Sequence, residues 1–271
     1  MKFKLTVIGN PIAHSKSPWI HAEFAKQNDL DVFYDKTESP LDGFKATVLN
    51  LQANGYNGAN VTAPFKEEAY QLSDSTSERA KIARAANILK FLPDRSMYAD
   101  NADGAGFITD IQTNHGYALK NKKILILGAG GGVRGILHPI LQTNPSTVII
   151  TNRTESRAKN LADEFSLYGE VLSKNFNDLN DDYDVIIDGT SFNAWPLPIS
   201  DKIFAHCSLV YDIKYGNKFT PILKKASSCD VKQVLDGFGM LVEQAAEAFA
   251  LWTGYKPNTA PILEHAKQIL D

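Results

Sequence analysis

Short runs of β-branched and aliphatic residues alternate along this chain with longer stretches whose apolar positions recur every three to four residues. That alternation predicts an α/β protein with mostly parallel sheets. Strands are predicted at Leu5–Gly9, Val32–Lys36 and Gly58–Thr62, with a helix after each. A second series begins at Lys122 with Lys-Lys-Ile-Leu-Ile-Leu-Gly, then continues at Thr147–Thr151, Asp184–Asp188, Leu209–Ile213 and Val231–Leu235. Between the two series, Phe107 to Asn121 reads as one helix and a polar connection, so a domain boundary is expected near residue 104. Towards the end of the chain, Leu241, Ala245, Ala248, Phe249 and Trp252 share one helical face. Gly254 stops that helix, and Pro257 follows shortly after.

Composition narrows the class. With 271 residues, 44% of them hydrophobic and 22% charged, the chain is globular and long enough for two domains of ordinary size. A net charge of −3 gives no pull toward nucleic acid or an anionic membrane. No stretch approaches membrane-spanning length, and the apolar run in the opening Met-Lys-Phe-Lys-Leu-Thr-Val-Ile-Gly is too short for a signal peptide. Cys207 and Cys229 form neither a disulfide framework nor a Cys-x-x-Cys motif, which fits a reducing cytoplasm. The six histidines are scattered without metal-ligand spacing, so no metal is expected. Oligomeric state is not legible.

The most informative local stretch runs from an apolar strand into Gly128-Ala129-Gly130-Gly131-Gly132 and then into a helical segment. Glycines there let the backbone turn tightly and let a pyrophosphate approach the amides at a helix N-terminus. Two registers are open: Gly128-x-Gly130 directly after the strand, or Gly130-x-Gly132-x-x-Gly135. About twenty residues on, where a carboxylate would bind the ribose hydroxyl of NAD, the next strand ends in Asn152-Arg153-Thr154, with Arg157 one turn later. A guanidinium, an amide and a hydroxyl suit a 2′-phosphate, so the expected cofactor is NADP. Thr154 also suits the N-cap of the helix that follows. In Ser15-Lys-Ser17-Pro18, proline suits the first helical position and Ser17 the N-cap, a geometry that offers hydroxyls and free amides to a carboxylate. His14 reads as structural.

Six motifs then occur in order: Gly9-Asn-Pro-Ile-Ala-His-Ser-Lys-Ser-Pro18, Asn60-Val-Thr-Ala-Pro-Phe-Lys66, Asn101-Ala-Asp103-Gly-Ala-Gly106, Asn152-Arg-Thr154, Asp236-Gly-Phe-Gly-Met240 and Gln244-Ala-Ala-Glu-Ala-Phe-Ala-Leu-Trp-Thr-Gly254. The set resembles the shikimate dehydrogenase family over essentially the whole chain. That resemblance implies a Rossmann-like NADP-binding domain at 104–236. It also implies a smaller α/β substrate domain made of 1–103 and the returning C-terminal helices, 237–271. The implied reaction is the NADP-linked interconversion of 3-dehydroshikimate and shikimate, which serves aromatic amino-acid and chorismate biosynthesis.

By the same resemblance Lys66 is the catalytic lysine and Asp103 its partner carboxylate. Hydride loss from a carbinol carbon needs a group that accepts the hydroxyl proton. Whether Lys66 takes that proton or mainly orients and polarises the oxygen stays open. Ser15 and Ser17 are implied to hold the substrate carboxylate, and Asn60, Thr62, Asn87, Tyr215 and Gln244 to contact the rest of the substrate. Ile213 and Gly237 are implied to line the nicotinamide.

The chain departs from the family pattern at several places. Asn101-Ala102-Asp103 replaces Asn-Thr-Asp, and Arg84-Ala-Ala-Asn-Ile88 replaces Gly-Ala-Val-Asn-Thr. Asp188-Gly-Thr-Ser191-Phe-Asn-Ala194 replaces an Asn-Ala-Thr-Ser segment followed by x-Gly-Met, and Lys214-Tyr-Gly-Asn217 lacks the common proline. These changes lead us to expect a shikimate dehydrogenase-like paralogue, one that turns shikimate over slowly or prefers a related hydroxy acid. A broader quinate/shikimate dehydrogenase is the alternative within the enzyme class. A non-catalytic NADP or shikimate sensor is the alternative outside it, opposed by the retained Lys66 and Asp103 and by the lack of an appended DNA-binding segment.

Overall fold

The computed structural model describes residues 2–179, 182–190, 199–216 and 219–269. The chain forms two compact units, one containing Met1–Phe107 and Leu241–Ala266, the other Ile108–Met240.

The first unit opens with β1 (Lys2–Gly9), α1 (Ser17–Gln27), β2 (Asp31–Glu38), α2 (Phe44–Ala53), β3 (Gly58–Val61) and α3 (Lys66–Leu72). It continues with β4 (Ser75–Thr76), α4 (Glu78–Ala83), β5 (Ile88–Phe91) and β6 (Met97–Asp100). The strands lie in the order β2-β1-β3-β5-β6-β4. β1 runs parallel to β2 and β3, whereas β5 is antiparallel to both β3 and β6. β1, flanked on both sides, is buried over residues 5–9, where only Thr6 interrupts the apolar side chains. β2 lies at the edge, and three of its four exposed residues, Asp31, Lys36 and Glu38, are charged, which suits a strand with one unpaired side.

α5 (Asp103–Ile108) leads into a wide π-type helical segment, Thr109–Asn114. The second unit then carries β7 (Lys123–Leu127), α6 (Gly131–Gln142), β8 (Thr147–Thr151), α7 (Glu155–Phe165), β9 (Val171–Ser173), β10 (Val185–Asp188), β11 (Leu209–Asp212), α8 (Pro221–Ser228) and β12 (Gln233–Asp236). All six strands are parallel, in the order β12-β11-β10-β7-β8-β9. The order reverses between β7 and β10, which makes this a doubly wound Rossmann-like sheet with its switch point there. Strands buried on both faces explain the unbroken apolar runs of β7, β8 and β10.

α9 (Phe238–Thr253) and α10 (Ala260–Ile269) end the chain. On α9, Ala245, Ala248, Phe249 and Trp252 are buried, Leu241 is half-buried, and Gly254 takes φ +82° just past the end. Trp252 packs against Leu5, Ile88, Ala102 and Ala248, and its indole N–H donates to the Leu89 carbonyl at 3.0 Å. The fold is the expected α/β class, with additions. β4, β9 and the β5–β6 hairpin have no counterpart among the predicted strands. Ile-Leu-Lys-Phe and Met-Tyr-Ala-Asp are too short and too poor in β-branched residues to stand out from a helical reading. The last strand falls at Gln233–Asp236, two residues beyond the predicted start.

Candidate active site

Lys66 is the first residue of α3, placed there by the Thr-Ala-Pro-Phe turn after β3, and its carbonyl accepts the Ala86 amide at 2.8 Å. Asp103 opens α5 immediately after β6. The Lys66 Nζ and Asp103 Oδ2 meet at 2.6 Å, with the Asp103 side chain 0% exposed and that of Lys66 13% exposed. A buried carboxylate needs its remaining lone pairs satisfied. Asn87, just before β5, supplies this by donating Nδ2 to Asp103 Oδ1 at 2.9 Å. The same Nδ2 donates to Gln244 Oε1 of α9, and Asn87 Oδ1 accepts the Ala102 amide at 2.8 Å. Asn60 on β3 donates Nδ2 to the Asn87 carbonyl at 3.1 Å. Five of the sequence-derived positions, Lys66, Asp103, Asn87, Gln244 and Asn60, are thus one hydrogen-bonded group. The hairpin that the sequence pattern did not reveal carries two of them at its ends.

A second layer fixes this group. Arg79 donates through Nε and Nη2 to Asp100 at 2.7 and 2.6 Å, and through Nη1 to Glu247 at 3.2 Å, one turn along α9 from Gln244. Burial pushes the Asp100 carboxyl up, but the Arg79 and Ser77 hydrogen bonds outweigh it and hold the group below its ordinary value. Asn101 joins the layers, taking the Asp103 amide on Oδ1 at 3.0 Å and donating Nδ2 to the Ala85 carbonyl. Ala102 is fully buried in the Trp252 cluster, where the hydroxyl of the family's usual threonine would need a partner of its own. Arg84 caps α4 at φ +46°, a conformation that suits the glycine usual in the family.

The serine motif differs from the capping expectation. Ser17 is the first residue of α1, not its N-cap, and makes no side-chain cap. Ser15 does the capping instead, its Oγ accepting the Ser17 amide at 3.3 Å and donating to Ser17 Oγ at 3.2 Å. The oxygen two residues before a free helical amide is the one within reach of it. Both serines are buried, at 7% and 5% exposure, with their hydroxyls paired to each other. Thr62 packs its methyl against Gly9, where any side chain would collide with it.

In the second unit the glycine register is settled. Gly128 follows β7 with φ +106°, the tight turn, and a Cβ there would stand 2.9 Å from the Gly189 backbone after β10. Gly130 is the extended N-cap residue of α6, and a Cβ on it would meet nothing within 4 Å. Gly131 and Gly132 form the first turn of α6. An open glycine shoulder beside free helix amides, at the sheet's switch point, fits the pyrophosphate of a dinucleotide. The end of β8 fits the adenosine side of NADP. Asn152, Arg153, Thr154 and Arg157 are polar or cationic, and Thr154 holds the N-cap position of α7 without a side-chain cap. The Asn152 amide donates to the Thr154 carbonyl at 3.0 Å, so part of its capacity is used in shaping the turn. Ile213 ties the region together: its Cδ1 approaches Gly132 and Gly189, while its carbonyl leaves no room for a side chain on Gly237. Tyr215 stacks edge-on with Phe238 at 6.2 Å.

The departures near this turn have structural partners. Val133 stands where the dinucleotide pattern places its third small residue, and its Cγ2 leaves room only for glycine at 189. Gly189→Ala is therefore expected to cost about 1–3 kcal/mol, and Val133→Ala in the same chain to recover most of it. Urea denaturation of both variants checks this; a double variant no more stable than Gly189→Ala alone would refute the clash. Asp188, in place of the family's asparagine, is held by Lys214 Nζ at 2.9 Å, and Lys214 also reaches Asp212 at 3.2 Å. Asp188, Asp212 and Asp236 are register partners at the ends of β10, β11 and β12. Sequence reasoning missed this cluster, although each of these strands visibly closes on an aspartate.

Burial, then the Asp188 charge, pushes the Asp212 carboxyl up to about 6. A carboxyl raised in the folded state binds more protons there than in the unfolded chain. Stability contributed by this group is therefore present at low pH and lost as pH climbs from about 4 to about 6. Asp212→Asn should flatten that slope in denaturation midpoints taken across the interval, and an unchanged slope would exclude Asp212 as its source. Ser191–Ala194 and Asn217 lie outside the described residues.

A Rossmann-like unit with an open glycine turn, joined in one chain to an α/β unit carrying a buried lysine–carboxylate pair, defines a nucleotide-linked dehydrogenase. Comparison with known proteins carries the assignment further. The family described as "Shikimate dehydrogenase substrate binding domain" matches residues 7–89, "Shikimate / quinate 5-dehydrogenase" residues 110–199, and "Shikimate 5'-dehydrogenase C-terminal domain" residues 237–267. The shikimate dehydrogenase (NADP(+)) of Nitrosospira multiformis is 47% identical over 262 residues, covering 95% of this chain and 94% of that protein. Among solved structures, an Ael1 enzyme from Pseudomonas putida is 40% identical with a TM-score of 0.85, covering 97% of this chain and 98% of that one. Shikimate 5-dehydrogenase from Thermus thermophilus, solved with NADP(H) and shikimate, is 27% identical with a TM-score of 0.86, covering 99% of this chain and 100% of that one. The chain belongs to the shikimate dehydrogenase family.

Proposed function

We propose that this chain catalyses the reversible, NADP-linked interconversion of 3-dehydroshikimate and shikimate. The observation that carries the reading is the 2.6 Å contact between Lys66 Nζ and a fully buried Asp103, braced by Asn87. We assign residues 1–103 and 237–271 to the substrate side and 104–236 to NADP. The nicotinamide supplies the hydride acceptor or donor. Lys66 then handles the proton: in the reductive direction its ammonium, the counter-charge of Asp103, gives a proton to the oxygen that hydride arrival leaves negative, and in the oxidative direction the neutral amine takes the hydroxyl proton as the carbonyl forms. Asp103 orients the amine, and Asn87 and Gln244 keep the carboxylate in place. Ser15 and Ser17 bind the substrate carboxylate through their paired hydroxyls and the first amides of α1, while Asn60, Thr62 and Tyr215 contact its ring substituents.

For the cofactor, Gly128, Ala129 and Gly130 to Gly132 seat the pyrophosphate. Asn152, Arg153, Thr154 and Arg157 read the 2′-phosphate, and Ile213 and Gly237 border the nicotinamide. Both cysteines are unpaired, which supports a cytoplasmic setting. Among the described residues, no helix is long and apolar enough to cross a membrane.

Steady-state assays with shikimate and quinate, each with NADP and NAD, test the reading. Shikimate with NADP is the expected pair; no turnover of shikimate with either cofactor would end it. Arg153→Ala should raise the KM for NADP by about ten- to a hundredfold, the worth of a charge-assisted hydrogen bond, and leave that for NAD unchanged. Equal losses for both cofactors would show that Arg153 does not read the phosphate.

A further inference from the structure

The one histidine buried in the first unit's interior has no part in the chemistry above. His21, on α1, is 0% exposed and sits in an aromatic enclosure. Its ring stacks on Tyr34 at 4.2 Å and 9° and packs near Phe24, Phe249 and Trp252. Packing alone would be served as well by phenylalanine, without the cost of a polar ring in an apolar site. His21 Nδ1 has no hydrogen-bond partner. Nε2 has one, Asn60 Oδ1 at 3.2 Å.

The Asn60 amide explains the imidazole. Its Oδ1 also accepts the Tyr34 hydroxyl at 2.6 Å, and its Nδ2 donates to the Asn87 carbonyl. A carbonyl can accept only from Nδ2, so the amide's oxygen must face His21 and Tyr34. His21 must then carry its proton on Nε2, with Nδ1 the orphaned acceptor. Burial holds the His21 pKa down at about 3, so the ring offers this single N–H at any working pH.

We propose that His21 and Tyr34 are positioning residues that lock the Asn60 amide in one orientation, oxygen turned inward, leaving its second N–H to donate to a substrate oxygen. With both lone pairs of Oδ1 engaged, Asn60 is a donor only. The kinetic part of this inference rests on the reading that Asn60 meets the substrate; the tautomer does not.

Two measurements on the full chain separate the two. Long-range ¹H–¹⁵N correlation of the His21 ring from pH 8 down to 5 should show a neutral Nε2–H tautomer throughout. An Nδ1–H tautomer, or a titration midpoint near the free-histidine value, overturns the lock whatever the substrate. In steady-state assays Tyr34→Phe and His21→Phe should each raise the KM for shikimate by about five- to tenfold, the worth of one hydrogen bond, with kcat within about twofold and the KM for NADP unchanged. An unchanged KM for shikimate in a folded variant overturns the positioning role. If His21→Phe does not fold, Tyr34→Phe, which removes one oxygen and keeps the stack, decides the kinetics. Wild-type protein that turns over no shikimate counts against the proposed function, and the ring spectrum then decides the lock alone.

Discussion

Lys66→Ala is expected to lower kcat by about a thousandfold, within the range for loss of a positioned acid–base group, while NADP binding stays within about twofold. The cofactor turn at Gly128–Gly132 and the Arg153 region belong to the other compact unit, so their geometry does not depend on this side chain. The substitution also leaves Asp103, 0% exposed, without its counter-charge. Removing one partner of a buried pair costs about 3–5 kcal/mol, so the variant should melt well below the wild type. Asn87 still donates to Asp103, which keeps part of the carboxylate satisfied. Asp103→Asn is the informative companion. It removes the charge but keeps the shape, so it should retain more stability than Lys66→Ala while losing turnover through a misplaced amine. The check is kcat and KM together with NADP titration and a thermal melt on each variant. A folded Lys66→Ala that keeps more than a tenth of wild-type kcat would remove the lysine from the chemistry.

Gly239→Ala is expected to lower the melting temperature of the second unit by about 10 °C, from a loss of about 3 kcal/mol. Gly239 lies in the first turn of α9, and a methyl on it would run into the carboxylate of Asp110. That carboxylate cannot easily give way. Asp110 is 1% exposed, its Oδ2 accepts the Tyr211 hydroxyl at 2.8 Å, and its Oδ1 accepts the Asn114 amide at 3.1 Å. Burial and the Asp110 charge push the Tyr211 phenol well above its ordinary value, so it stays a donor throughout. Displacing Asp110 would take from that hydroxyl the carboxylate it donates to, which adds to the steric cost. Adding Asp110→Ala relieves the collision but also removes the carboxylate that Tyr211 donates to, so recovery should be partial. Calorimetry on the single and double variants reads this directly. A melting temperature within about 2 °C of wild type would mean that the carboxylate moves aside at little cost.

How much of this could be read from the chain follows from how far apart the cooperating residues are. The alternation of apolar runs and amphipathic stretches, the glycine turn after Ile-Leu-Ile-Leu and the carboxylate-free end of β8 are local patterns. Each is set by residues within a turn or two of one another, so the α/β class and the NADP preference were legible. The ordered motifs added the family. Local reading also had limits. It gave the capping role to Ser17 because serine before proline suits an N-cap, whereas Ser15 reaches the free amide. It left the glycine register open because both spacings satisfy the pattern, and only the positive φ of Gly128 decides between them.

The sequence alone determined the strand-and-helix alternation, the turn chemistry at residues 128–132 and the residue types available for a lysine–carboxylate site. Tertiary structure decided which of those side chains touch. Lys66 and Asp103 are 37 positions apart, Asn87 and Gln244 are 157 apart, and the hairpin that delivers Asn87 and Asp103 is made of strands too short to announce themselves. It also decided that Val133 makes room only for glycine at 189, that Lys214 answers Asp188, and that a neutral imidazole fixes Asn60. Periodicity is carried by neighbours along the backbone, whereas a hydrogen-bonded site is a coincidence in space of distant residues, set by sheet order and strand register.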